Sequence, residues 1–189
     1  RSLEGSAYRT RAHLLGDIVS AEPVFVSGAV AAYADAGYNA FASSVASRDK
    51  MIYQGANDGM LHAFDATNGA EMWAYVPTMV MRNMSGLADL NYSVKHTYFA
   101  DGSPVVMDAY FGGSWHTVLV AGLNKGGNGY YALDVTDPSN PVVLWEVCND
   151  STLCPTVGGT TPIIRSDADI GLTYGNPLIT KRASDGKRV

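Results

Sequence analysis

The stretch Ala63-Phe64-Asp65-Ala66-Thr67 returns in the second half of the chain as Ala132-Leu133-Asp134-Val135-Thr136. Each copy is preceded by an apolar run ending in glycine and followed by a lone tryptophan, Trp73 or Trp145. Landmarks kept in the same order indicate an internal repeat, and such a repeat decides the architecture.

Proline-led strand openers delimit the repeat. They stand at 22–26, 103–106 and 176–179. Proline is tolerated at a strand's first residue because the hydrogen-bond ladder has not begun there. Three openers bracket two complete units, about 16–97 and 98–170, and a third unit that begins at about residue 171.

Each unit is predicted to hold four strands joined by glycine turns. An apolar run (51–54 or 117–121) leads into a polar turn, Asn57-Asp58-Gly59 or 125–129. Asp-Gly and Asn-Gly favour hairpins because both central residues can adopt positive φ. Repeated four-stranded antiparallel units predict an all-β fold, a β-propeller with blades of this kind. We expect residues 1–189 to form part of one such domain, with open edges that other chain segments cover.

Two alanine- or methionine-containing insertions lengthen the units. Residues 28–47 could hold a short helix, and residues 78–93 are predicted to be helical. The apolar positions of the second insertion are Met79, Met81, Leu87 and Leu90. Loops of this kind often carry binding function. They either form a contact surface or cap blade edges, and the sequence leaves both open.

Composition excludes several classes of function. Thirteen Lys and Arg against eighteen Asp and Glu give a net charge of −5, without a basic run, so no nucleic-acid partner is expected. The longest apolar stretches have strand length, so no transmembrane segment is predicted. Cys148 and Cys154 lack the further ligands that zinc needs. Two free thiols and a short-loop disulfide both remain open at this point.

No catalytic constellation is predicted. Asp58, Asp101 and Asp108 have the residue type of a metal ligand or base, but their predicted strand-end positions favour turn or cap roles. Ser47-x-x-Lys50 runs into a strand, whereas the acyl-transfer motif must open a buried helix. The histidines share no metal-ligand spacing and are expected in packed or surface positions: His13, His62, His96 and His116.

The pattern Ala63-x-Asp65-x-Thr67-x-Gly69-x-x-x-Trp73 resembles the docking motif of the quinoprotein-type propeller superfamily. In that superfamily the tryptophan packs against the neighbouring blade, and the Asp/Thr pair closes a turn. The second unit retains four of these positions and replaces the turn glycine with a proline-containing loop; the retained residues are Ala132, Asp134, Thr136 and Trp145.

A narrower resemblance runs in order from about residue 9 to the end of the chain. It is similar to the C-terminal propeller of the PilY/PilC family of type IV pilus proteins. The segments that carry it are LGDIV (15–19), GANDGMLHAF (55–64), YFADGSP (98–104), GYYALDVTDP (129–138) and LTYG (172–175).

The resemblance implies a secreted, non-enzymatic protein at the cell surface that promotes pilus assembly near the tip and acts in adhesion and twitching motility. Its implied partners are pilin-like subunits and a host or abiotic surface. Export to an oxidising compartment favours a Cys148–Cys154 disulfide.

Family propellers often hold a calcium loop, but Ser166-Asp167-Ala168-Asp169 lacks the glycine and third acidic residue of such a loop. We therefore expect no cofactor within these residues, and calcium only in a further C-terminal part.

Two other functions remain alternatives. A periplasmic dehydrogenase with a quinone cofactor would need a carboxylate, an amide and calcium in one funnel, together with an acidic base. A scaffold propeller for outer-membrane assembly would have more regular blades, without the insertions at 28–47 and 78–93.

Overall fold

The first repeat folds into a single sheet. The computed structural model describes residues 3–155 and 162–180. Four antiparallel strands lie side by side in chain order, and they are β1 (Val24–Val26), β2 (Met51–Gly55), β3 (Leu61–Asp65) and β4 (Glu71–Tyr75). Helix α1 (Tyr38–Ser44) lies between β1 and β2, and 3₁₀ helices at Thr78–Ala88 and Tyr92–Val94 follow β4.

The second repeat forms a sheet of the same order. Its strands are β5 (Val105–Phe111), β6 (Ser114–Gly122), β7 (Gly129–Asp134) and β8 (Val142–Cys148), all antiparallel. A fifth strand, β9 (Ile163–Ser166), joins the outer edge parallel to β8. The sequence did not predict β9, because its four residues are too few to show a strand's alternation.

The two sheets repeat each other residue by residue. Ala63 faces Trp73 across β3 and β4, and Ala132 faces Trp145 across β7 and β8. The register shifts immediately after the alanine in both sheets. The predicted architecture of four-stranded antiparallel units is therefore confirmed.

Two of the three predicted openers begin strands. β1 starts directly after Pro23 and β5 directly after Pro104. No strand forms around Leu178 and Ile179 within the described residues. In the first two units the opener pairs with the following strand of its own unit. The equivalent partner would come after residue 180, so the prediction of a third opener strand depends on residues outside the described ones.

Both insertions are helical, but the second one is not α-helical. Met79 and Val80 of the 3₁₀ helix point into the core, and Leu87 packs against it. Of the four apolar positions named from the sequence, Met81 and Leu90 are 52% and 54% exposed.

The main core lies between the two sheets. Tyr53, Leu61 and Tyr131 are fully buried there, and Trp73 packs against this cluster. The Trp73 indole N–H donates to the carbonyl of Pro138 in the second sheet, at 2.7 Å. Both Trp73 and Trp145 are half-buried rather than buried as expected, because each stands on an outer strand of its four-stranded unit.

Close contacts between backbone segments, made possible by glycines, set the spacing of the sheets. Residues 98–103 lead from the 3₁₀ helix at Tyr92–Val94 into β5 and pass the end of β2 on the way. A Cβ on Gly55 would lie within 3.0 Å of the Ala100 carbonyl, and one on Gly126 would lie equally close to the Phe99 carbonyl. Real Cβ atoms do not come so near, so these positions require glycine.

We predict that Gly126→Ala destabilises the fold by about 1–3 kcal/mol or more, since the new methyl group would strike backbone that cannot yield. The matched control is Gly86→Ala, where a Cβ would meet nothing within 4 Å. Urea unfolding monitored by circular dichroism measures both variants. Equal free energies of unfolding for the two variants would contradict the prediction.

Candidate interaction surface

The first insertion is held to the second sheet by a buried carboxylate. Asp108 is fully buried and lies in the middle of β5, opposite Thr117. It accepts hydrogen bonds from the Val30 N–H (2.9 Å), the Tyr38 hydroxyl (2.6 Å) and the Thr117 hydroxyl (2.8 Å). Burial first, and then Asp108, raises the pKa of Tyr38, which keeps that hydroxyl a donor. Asp108 is therefore a mid-strand anchor and not the predicted strand-end cap.

Aromatic rings complete the attachment of this insertion. Trp115 of β6 contacts Tyr33, Tyr38 and Phe41, and its indole N–H donates to the Ala36 carbonyl at 3.1 Å. No residue of 28–47 is among the large apolar side chains that the described part of the chain exposes. This insertion turns its apolar side chains towards the second sheet.

The second insertion is attached through Glu146 of β8. This buried side chain accepts hydrogen bonds from the Tyr75 hydroxyl and, at 2.9 Å, from the Thr78 N–H. Burial and the bond to Glu146 raise the pKa of Tyr75. Tyr75 is the last residue of β4 and Thr78 follows that strand closely, whereas Glu146 belongs to the second sheet. This contact therefore ties the two sheets together.

A disulfide-closed loop supports the same region. Cys148 and Cys154 are bonded, with their Cα atoms 5.9 Å apart, so the predicted disulfide is confirmed. The Arg82 guanidinium of the second insertion donates to the Thr152 hydroxyl at 2.8 Å and lies 3.6 Å from the Asp150 carboxylate. The loop thus braces the insertion from the outside.

The second insertion also presents apolar side chains to solvent. Met81, Leu90 and Val94 are 52%, 54% and 81% exposed. Val94 directly follows the insertion, and we name Met81, Leu90 and Val94 together the outer face of the second insertion. Isolated exposed apolar residues are ordinary, but three on one braced segment make it the candidate interaction surface.

The remaining acidic candidates have structural roles. Asp58, in the turn after β2, accepts from the Gly16 N–H at 2.7 Å and the Met60 N–H at 3.1 Å. Asp101 accepts from the Ser20 N–H at 3.0 Å. Asp58 thus joins the segment at Gly16 to the turn after β2, and Asp101 joins the segment at Ser20 to residues 98–103. Among the described residues, no group of three His, Cys, Asp or Glu side chains is placed to hold a metal ion.

The blade-motif aspartates close turns in both units. Asp65 accepts from the Thr67 N–H (2.7 Å) and hydroxyl (2.6 Å), and these bonds hold the pKa of this exposed carboxyl below its usual range. Asp134 accepts from the Thr136 N–H (2.9 Å) and hydroxyl (2.5 Å). Gly69 completes the first turn with φ +76°, a left-handed conformation that favours glycine.

His62 lies buried between two carboxylates. Its Nδ1 is 2.6 Å from Glu71 Oε1, and its Nε2 is 3.0 Å from Asp58 Oδ2. Burial opposes protonation, but the hydrogen bonds and charges of Asp58 and Glu71 outweigh it and raise the pKa of His62. His62 is packed, as the sequence predicted, within an ion-paired cluster.

His116 belongs to a constellation that the sequence analysis missed. Its Nδ1 lies 2.6 Å from Asp134 Oδ2, and its Nε2 lies 2.8 Å from Ser114 Oγ. Ser114 and His116 share a face of β6, but Asp134 comes from β7, and only the pairing of these strands brings the three together. A Ser-x-His pair on a strand was the one signal in the sequence.

No helix in the described part of the chain has the length and hydropathy needed to cross a membrane.

Two packed sheets, each containing four antiparallel strands in chain order from an opener strand to a tryptophan strand, define a β-propeller protein. The sequence model of the PilY1 beta-propeller domain matches residues 15–188. The chain belongs to that family.

Similar proteins agree with this assignment. Over 99% of its length the chain is 43% identical to the type IV pilus biogenesis factor PilY1 of Pseudomonas aeruginosa strain PAK. It is 39% identical over 98% of its length to a PilY1 homolog of Xylella fastidiosa strain Temecula1. It spans about 15% of the length of each of these relatives. The crystal structure of the Pseudomonas aeruginosa PilY1 C-terminal domain is similar, with 37% identity, a TM-score of 0.64, and coverage of 87% of this chain and 30% of that one.

We predict that His62 stabilises the fold most at acidic pH. Because its pKa is raised on folding, its contribution is fully present below the unfolded value of about 6.5 and is lost as pH rises through the folded value. The stability difference between the wild type and His62→Gln should therefore shrink between about pH 5 and pH 8. Urea unfolding across this range measures the difference.

Glu71→Gln is the matched control. It keeps the shape of the side chain and removes one of the two charges facing His62. The pH dependence attributable to His62 should weaken in this background. A difference that grows with rising pH would have the wrong sign and would refute the assignment.

Proposed function

We propose that the protein carrying this chain is a type IV pilus biogenesis factor that promotes pilus assembly and adhesion by binding other proteins. The observation that carries this proposal is the match of residues 15–188 to the PilY1 propeller family. The named relatives at 43% and 39% identity are described as biogenesis factors of the type IV pilus.

The proposed mode of action is contact through a rigid surface. The second insertion is fixed at Thr78 by Glu146 and at Arg82 by the disulfide loop, so its outer face is ordered before a partner arrives. Binding then costs little conformational entropy, which favours affinity. The proposed partners are pilin-like subunits, with a host or abiotic surface as a second contact, and the proposed location is the periplasm and the pilus-bearing cell surface.

The two alternatives receive less support. For a quinone-dependent dehydrogenase, Asp58, Asp101 and Asp108 are each engaged by backbone or side-chain donors of the fold. For a scaffold propeller of outer-membrane assembly, the long insertions would have no purpose, whereas here both are bonded to the second sheet. That calcium binds in a further C-terminal part stays a prediction.

The test substitutes two residues of the outer face. Met81→Ser with Leu90→Ser should reduce surface piliation and twitching while leaving the secreted level of the full-length protein unchanged. Truncating an apolar contact residue commonly costs about 1 kcal/mol, so the pair should weaken binding by roughly tenfold or more. The measurements are the amount of sheared pili and the diameter of the twitching zone in a deletion strain complemented with each variant.

Met72→Ser with Val142→Ser is the matched control, because these side chains are 47% and 51% exposed on the strands of the blades. It should complement fully. Normal piliation in the clean deletion would remove the proposed assembly role. Full rescue by the Met81/Leu90 variant would leave that role standing and place the contact elsewhere.

A further inference from the structure

Three residues at the hairpin end of the second sheet have the arrangement of an activated nucleophile. Asp134 is an acceptor when ionised, so His116 Nδ1 carries the proton that it shares with Asp134 Oδ2 at 2.6 Å. The other ring nitrogen then has a lone pair, which faces the Ser114 hydroxyl at 2.8 Å. A nucleophile bonded to a base that a third group orients is the structural signature of covalent acyl transfer.

The fold holds this imidazole in place. Its ring stacks on Phe111, with centroids 4.1 Å apart. Asp134 is fixed in turn, because its other oxygen accepts from the Thr136 N–H and hydroxyl. The side chains of His116 and Asp134 are 24% and 15% exposed, whereas Ser114 is exposed. The base is sheltered and the nucleophile is accessible.

Backbone donors lie next to the serine. Gly112 and Gly113, which form the β5–β6 turn, have φ of +60° and +91°. Among the described residues, no hydrogen-bond partner is found for either N–H. Successive free N–H groups in a turn form an anion-binding concavity. Such groups stabilise an oxyanion when they point at the carbonyl oxygen under attack.

We propose that Ser114 is a catalytic nucleophile that accepts small, activated acyl groups, with His116 as general base and Asp134 as the residue that positions it. This activity goes beyond the proposed binding function and does not depend on it. A small acyl group suits this arrangement, because the Phe111 ring that stacks on His116 is the apolar surface that the structure shows beside the base.

The proposed reaction is ester hydrolysis, and it needs only these three side chains, the ester and water. The Ser114 oxygen bonds to the ester carbonyl carbon while its proton passes to His116 Nε2. The tetrahedral intermediate then expels the alcohol, which takes that proton, and leaves acyl-Ser114. Water attacks next with His116 again as base, so a carboxylic acid is released and the serine is restored.

A fluorophosphonate probe and 4-nitrophenyl acetate test the proposal on the full-length protein. The probe forms a P–O bond at Ser114 and releases fluoride as the proton passes to His116, and mass spectrometry locates the label. Ser114→Ala should abolish labelling at this peptide. His116→Ala should slow labelling by about 10²–10⁴-fold, the usual contribution of a general base.

Matched variants separate chemistry from folding. Ser43→Ala and His96→Ala should label like the wild type, because Ser43 bonds only a backbone carbonyl and His96 pairs with Asp17 without a hydroxyl. Thr136→Val removes the hydroxyl bond to Asp134 and leaves the backbone bond, so it should lower the acylation rate less than a substitution of Asp134 itself. Asp134→Asn should lower the acylation rate.

Two results would overturn the proposal. One is an absence of label at Ser114 in folded wild-type protein with either reagent. The other is label at Ser114 whose rate is unchanged by His116→Ala, which would identify an ordinary exposed hydroxyl. If His116→Ala fails to fold, His116→Gln replaces it in the same comparison.

Discussion

The distance between the two sheets depends on close backbone contacts that residues 98–103 make with glycines on both sides. Gly55 of β2 and Gly126 of the turn between β6 and β7 admit the Ala100 and Phe99 carbonyls at distances that exclude any side chain. The crossing is also bonded to both sides, since the Phe99 N–H donates to Asn57 Oδ1 at 3.0 Å and Asn124 Nδ2 donates to the Asp101 carbonyl at 2.8 Å. Contacts between backbones cannot relax by changing rotamers, so they fix the spacing and angle of the blades.

That fixed spacing allows carboxylates to be buried where the two insertions meet the second sheet. Asp108 and Glu146 each accept donors from chain segments that precede the second sheet. A buried carboxylate that loses its donors keeps the whole desolvation cost, which amounts to several kcal/mol. Donors and acceptors must therefore meet with small positional error, and rigid crossings supply this. The insertions are attached to the blades because the blades do not move relative to each other.

The features that recur in both repeats could be predicted from the sequence, whereas contacts that form only when distant segments come together could not. The openers at Pro23 and Pro104, the turn at 57–59 and the equivalence of Trp73 and Trp145 could be derived from spacing alone. Asp108 was misplaced because a lone aspartate in an apolar run looks like a strand end, and only the fold shows the Tyr38 hydroxyl that satisfies it. Met81 was identified from the sequence as an apolar position, but its exposure depends on how the 3₁₀ segment packs, which the spacing of apolar residues does not determine.

The candidate site was less predictable than the fold for a related reason. The disulfide followed from family resemblance and its compartment, but the Ser114–His116–Asp134 constellation joins residues of two strands that no contiguous motif marks. The strand pairing of β6 with β7 brings them together, and a shift of register by one residue would turn the interacting side chains to opposite faces.

Strand geometry also separates the two functional regions. Ser114 and Gly122 are the two ends of β6, and nine residues of strand at about 3.3 Å each make them roughly 25–30 Å apart. The first insertion meets the second sheet at Trp115 and Asp108, near the serine, whereas the second insertion lies against Gly129 and Glu146, near the other end. A partner bound to the outer face of the second insertion would therefore leave the serine free. The proposed contact surface and the proposed nucleophile therefore lie near opposite ends of the same blade.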